Sequence, residues 1–147
     1  MPIPERSKYE TLIYDLPNQF PGIATSTLRI YSTSASAGVL EGEIVLKNGI
    51  RIQAVEVLDF GSGLIRKYSY TVYRGERKIR WYDPQPHPEN EELASTFPHH
   101  FHEEPTIKQN RKPAPGISFD SPNLPALVEV CIGLGEWGGG KRAEERG

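Results

Sequence analysis

Asn48-Gly49 divides two runs of alternating polarity, residues 39–46 and 50–60, and no other feature restricts the fold as much. Both central positions of a type I′ turn need positive φ, so this dipeptide predicts a tight antiparallel hairpin. Gly75-Glu76 predicts a second, of the Gly-X type, joining 64–74 to 77–83. A two-residue loop fixes every facing pair. In the first hairpin it sets Val45 against Ile52, Glu43 against Ala54 and Glu41 against Glu56. Glu41, Glu43 and Glu56 would then share a face, where opposed like charges are destabilising without a metal, a basic partner or a catalytic role to explain them. A bulge shifting the register by one residue is the other reading. In the second hairpin the rule pairs Val72 with Ile79, Tyr70 with Trp81 and Tyr68 with Asp83, leaving Tyr73, Lys78, Thr71, Arg80, Ser69 and Tyr82 on the opposite, basic face.

Three further elements complete the expected fold. Residues 7–16 place Tyr9, Leu12, Ile13 and Leu16 on one helical face and meet Pro17, which should end the helix. Residues 27–32 alternate as a strand. Leu124, Leu127, Val128, Cys131, Ile132 and Leu134 form the apolar face of a last helix, opened by the Ser121–Pro125 run and expected to end at Gly133, Gly135 and Gly138–Gly140. The expectation is an α+β domain over residues 1–137: a curved, mainly antiparallel sheet of about five strands with an N-terminal and a C-terminal helix packed on one face, then a disordered Gly-rich charged tail over 138–147.

The apolar fraction of 37% against 24% charged residues fits a chain that folds alone. No apolar run approaches the roughly 18 residues of a membrane span, and the N-terminus lacks a signal-peptide pattern, so a cytoplasmic location is expected. A net charge of −2 argues against a surface basic throughout. It leaves room for a local patch: Tyr73, Lys78, Arg80 and Tyr82, with Trp81 among them, mix cations and stacking surfaces as single-stranded nucleic acid requires. The single Cys131 lies in an apolar segment and reads as a buried, inert thiol.

All four histidines fall within residues 87–102, as Pro86-His87 and Phe97-Pro98-His99-His100-Phe101-His102. On an extended chain His99 and His100 point to opposite sides, whereas His100 and His102 share one. His87, on a proline-stiffened loop, or Asp83 can join them. Two chemistries fit. With His87, His100 and His102 as ligands the segment would hold zinc or another divalent transition metal and serve a metal-dependent hydrolase. Without a metal, two imidazoles would act as base and acid in RNA cleavage by its own 2′-hydroxyl, Arg80 would clamp the phosphate and Asp83 would orient a ring. A non-enzymatic binding module is a third reading, in which the histidines are dispensable.

Tyr68-Ser69-Tyr70, Ile79-Arg80-Trp81-Tyr82-Asp83, Pro86-His87 and Phe97-Pro98-His99-His100-Phe101-His102 together resemble the TumE-like family, toxins of bacterial toxin–antitoxin systems, over roughly residues 38–135. Arg80, Asp83, His87, His99, His100 and His102 match the family's motif by position. The family usually has Lys where Phe101 stands, and often Asn-x-x-Pro-His where this chain has Pro84-Gln85-Pro86-His87. The resemblance implies a small cytoplasmic bacterial protein of a type II toxin–antitoxin system, bound and silenced by a helix-turn-helix antitoxin. Joined to the histidine cluster, it implies a ribonuclease, with RNA as substrate. The favoured mechanism needs no cofactor, and assembly as a homo-oligomer is left open.

Overall fold

The computed structural model describes residues 2–105, 107 and 110–145. Its elements in chain order are helices α1 (Arg6–Tyr14) and α2 (Leu16–Gln19), strands β1 (Ile23–Ser26), β2 (Arg29–Ser32), β3 (Ala37–Leu46), β4 (Ile50–Asp59), β5 (Leu64–Arg74) and β6 (Arg77–Asp83), a 3₁₀ segment (Glu91–Thr96), β7 (His100–Glu103), β8 (Arg111–Pro113) and α3 (Leu124–Glu145). All eight strands join one antiparallel sheet in the order β1-β3-β4-β5-β6-β7-β8, with β2 on the same edge of β3 as β1. The five expected strands correspond to β2–β6, and β1, β7 and β8 are additional. Each of these three has four residues or fewer, too short for alternation to show against the surrounding prolines and glycines.

The inner face of the sheet holds the core. Leu40, Ile44, Ile52, Leu58, Tyr70 and Val72 are buried there against Tyr9, Ile13 and Leu16 of the N-terminal helices and Leu124, Leu127, Val128 and Cys131 of α3. A polar network stitches these layers together. Glu56, fully buried, accepts hydrogen bonds from Tyr9 (2.5 Å) and Tyr70, and Tyr70 in turn accepts one from Asn123 (3.0 Å). Burial raises the Glu56 carboxyl above its ordinary range, against the lowering effect of the two tyrosine hydroxyls.

Both hairpin registers differ from the two-residue prediction. In the first, Asn48 does not take positive φ while Gly49 does, at +91°, which excludes a type I′ turn and produces a three-residue loop, Lys47-Asn48-Gly49, closed by the Gly49 amide on Leu46. The pairing therefore shifts by one, with Gly42 opposite Ala54 and Leu40 opposite Glu56. Glu41 and Glu43 go to the outer face, where they pair with Arg29 (3.3 Å) and Arg51 (2.6 Å), and Glu56 goes to the core. In the second hairpin Arg74 does face Arg77, but Ile79 bulges out of register, so that Val72 faces Arg80 and Tyr70 faces Tyr82. Arg80 and Tyr82 thus move to the inner face, and Trp81 moves to the outer.

Two helix ends also differ. Pro17 does not close the first helix but sits in the first turn of α2, where its missing N–H has no cost. α3 continues to Glu145 instead of ending at its glycines; a glycine weakens a helix by about 1 kcal/mol but, unlike proline, keeps the hydrogen-bond ladder intact. Residues 146 and 147 of the expected tail lie outside the described residues.

Candidate active site

At the sheet edge Asp83 faces His100, Trp81 faces His102, Tyr82 faces Phe101 and Arg80 faces Glu103. Opposed residues share a face, so the edge sorts into two sets. Trp81, Asp83, His100 and His102 lie on the outer face, and Arg111 of β8, opposite His102, joins them. Arg80, Tyr82, Phe101 and Glu103 lie on the helix-covered face, where Arg80 bonds Glu103 (3.3 Å) and Tyr82 (3.0 Å) and stacks over Phe101.

The outer set is closely knit although it is buried. Asp83, His100 and His102 are 8%, 1% and 4% exposed. His100 Nε2 is 3.2 Å from Asp83 Oδ1 and 3.2 Å from His102 Nε2, while His102 Nε2 is 3.0 Å from Asp83 Oδ2. The loop leaving β6 brings the His87 ring to 5.0 Å from that of His100, nearly perpendicular to it. Trp81 stacks on His102 at 4.8 Å and donates its indole N–H to Ser69. Beside the cluster opens a cleft of about 300 Å³ lined by Lys67, Tyr68, Trp81, Asp83, Pro84 and Gln85.

Several local contacts set this geometry. Asp83 accepts the Gln85 amide through Oδ1 at 2.8 Å, fixing the carboxylate at the strand end. Thr96 donates its hydroxyl to the His99 carbonyl and accepts the Ala114 amide, tying the starts of β7 and the chain after β8 to the 3₁₀ segment. The Pro98 carbonyl lies 3.1 Å from His100 Nδ1 and orients that ring. Burial pushes the His102 imidazole below its ordinary pKa, an effect that Asp83 opposes and the Arg111 charge reinforces. Among the described residues His102 Nδ1 and Arg111 Nε are buried without hydrogen-bond partners, which leaves an arginine donor next to the cluster with no protein acceptor.

The family model described as Toxin TumE matches residues 10–129, a span that holds every residue of the cluster. The chain belongs to the TumE toxin family. No curated protein and no solved structure matches it. Among the described residues of this TumE-family chain no helix is long and apolar enough to cross a membrane.

Of the residues singled out from the sequence, Asp83, His87, His100 and His102 come together. His99 does not: it points inward, as alternation requires, where its Nδ1 lies 2.7 Å from the Tyr68 hydroxyl and its ring packs on Phe119. Arg80 is also excluded, because the bulge at Ile79 places it on the far side of the sheet, and Tyr82 follows it. Tyr73 and Lys78 remain on the outer face, where Arg51 covers the Tyr73 ring and Lys78 reaches towards Trp81. Glu41 and Glu43 share that face but sit on β3, four strand spacings from β7, or about 19 Å. Glu56 belongs to the core network. Sequence reasoning missed Arg111 as a member of the site. Its only signal was position in a short strand between prolines, which nothing distinguished from a loop.

Proposed function

We propose that this TumE-family chain is the toxin of a type II toxin–antitoxin pair, a cytoplasmic ribonuclease that cuts single-stranded RNA at the Asp83–His87–His100–His102 cluster and is silenced by a helix-turn-helix antitoxin protein. One observation carries the reading: three imidazoles and a carboxylate converge on the outer sheet face, which also bears Trp81, Tyr73, Lys67, Lys78 and Arg111. RNA cleavage needs a group to move the 2′-hydroxyl proton and donors to meet charge on the phosphate. His87, whose side chain is 14% exposed against 1% for His100, is the imidazole best placed to exchange protons with a guest. Arg111, opposite His102 on the same face, brings the positive charge for the phosphate. The aromatic and cationic side chains along β5 and β6 suit a flexible strand, because bases stack on rings and the backbone follows positive charge.

The test is expression in bacterial cells with and without the neighbouring antitoxin frame, scoring growth and total RNA integrity. Wild-type protein alone should arrest growth and degrade RNA, and the antitoxin should prevent both. Alanine at His100 and His102 should abolish the arrest while the purified variant keeps its fold. A double variant as toxic as wild type would reject the catalytic role and favour a protein that acts by binding alone.

A further inference from the structure

Hydrogen-bond accounting at Asp83, His100 and His102 does not close with protons on neutral rings. The Pro98 carbonyl can only accept, so His100 Nδ1 carries the proton of a neutral ring and Nε2 presents a lone pair. That lone pair faces a carboxylate oxygen at 3.2 Å and a second ring nitrogen at 3.2 Å, in surroundings without exposed surface. His102 has one proton to place. On Nε2 it serves Asp83 but leaves the contact between His100 Nε2 and Asp83 Oδ1 as two facing lone pairs. On Nδ1 it becomes a buried donor with no acceptor among the described residues, and the lone pairs of both Nε2 atoms then face each other and the Asp83 carboxylate.

A cation at that point meets the lone pairs of both Nε2 atoms and the Asp83 carboxylate together, with the His102 proton on Nδ1, for which the described residues offer no acceptor. Ligands bound at about 2.0–2.2 Å lie about 2.8–3.6 Å from one another in octahedral or tetrahedral geometry; here the two Nε2 atoms are 3.2 Å apart, His100 Nε2 is 3.2 Å from Asp83 Oδ1 and His102 Nε2 is 3.0 Å from Asp83 Oδ2, so the carboxylate turns one oxygen to each ring. The contact of His100 Nδ1 with a backbone carbonyl is the outer interaction that turns Nε2 of a ligating histidine towards its metal. Two imidazoles and one carboxylate suit zinc, manganese, iron or cobalt, and disfavour magnesium and calcium, which take oxygen ligands.

We propose that Asp83, His100 and His102 form a three-ligand site for a divalent transition-metal ion, with its remaining coordination positions open towards the cleft beside Trp81 and Asp83. His87 stands outside the ligand triangle, which leaves it free for proton transfer. What the ion does there, polarising a phosphate oxygen, rests on the reading of the cluster as an RNA-cleaving centre; its binding does not.

The experiment is titration of chelator-stripped, full-length protein with zinc chloride in an isothermal calorimeter, repeated with magnesium chloride. One zinc per chain is expected, at micromolar or tighter dissociation constant, with no magnesium heat. Asp83→Asn, checked for wild-type circular dichroism, should weaken zinc binding by more than about 100-fold, since even outer partners of a metal site contribute 10–100-fold. His87→Ala should stay within about 10-fold of wild type. Absence of zinc binding by folded wild-type protein, undiminished binding by Asp83→Asn, or loss in His87→Ala as large as in Asp83→Asn would each overturn the site. Should Asp83→Asn fail to fold, the visible spectrum of the cobalt-loaded wild type decides: bands of a four- or five-coordinate ion support the site, and the weak spectrum of hydrated cobalt overturns it. Zinc binding without RNA cleavage would defeat the proposed function and leave this site standing; RNA cleavage by protein that binds no zinc would do the reverse.

Discussion

Replacing Glu56 by leucine measures what the buried network between α1, β4, β5 and α3 contributes. The substitution removes the acceptor of two hydroxyls, those of Tyr9 and Tyr70, both inside the core. Each buried donor left unmatched costs about 1–3 kcal/mol, so the variant should lose about 2–6 kcal/mol. That is a large share of the roughly 5–15 kcal/mol that holds a domain together, and it lowers Tm by about 5–20 °C at this chain length. Adding Tyr9→Phe and Tyr70→Phe removes the unmatched hydroxyls and should restore most of the loss, short of the one Asn123 N–H that Tyr70 accepts. Glu56→Gln separates shape from charge. Burial raises the folded-state pKa above the ordinary 4.5, so as pH rises the unfolded chain gives up its proton first and wild-type stability falls relative to Glu56→Gln from about pH 4.5 upward. Urea unfolding followed by circular dichroism between pH 5 and 8 measures both effects. A Glu56→Leu variant that melts within a degree of wild type, or a triple variant no more stable than the single, would refute the reasoning.

Exchanging the roles expected of two arginines gives a second prediction: Arg111→Ala should slow RNA cleavage by about 100-fold, as loss of a phosphate-facing donor does, with little change in Tm. Arg80→Ala should instead destabilise by about 1–3 kcal/mol by leaving the Tyr82 hydroxyl without its partner and Glu103 with Lys112 alone, and cleavage per folded molecule should stay within a few-fold. Trp81→Ala should weaken binding of a fluorescent single-stranded RNA by about 5- to 150-fold, the range of about 1–3 kcal/mol for one lost base stack, and Trp81→Phe should recover much of it. Cys131, fully buried and with its thiol pushed up to about 12 by desolvation, should ignore a thiol reagent at pH 8 in the native protein and react stoichiometrically in urea.

The long central strands and the two helical faces were readable from the chain because their periodicity runs over many residues. Registers were less readable. One residue's difference in loop length at Asn48-Gly49 separates a cluster of three glutamates from the arrangement observed, and that length depends on whether Asn48 takes positive φ, which Asn permits but does not require. The bulge at Ile79 is similar: the side chain reaches the core by displacing its neighbours, so Arg80 trades faces with Trp81. Alternation did predict the parting of His99 from His100 and His102, since it needs only an extended chain. Arg111 was hidden because its strand, three residues long, exists only through pairing with β7, a tertiary effect without a local signature.

The central claim, that this cluster is where RNA is cut, is tested most directly by cleavage of an end-labelled single-stranded RNA by purified wild-type and Asp83→Asn protein. The account predicts products with wild type and a loss of at least about 100-fold in Asp83→Asn at unchanged Tm. Equal cleavage by the two proteins, or none by folded wild type, would contradict it.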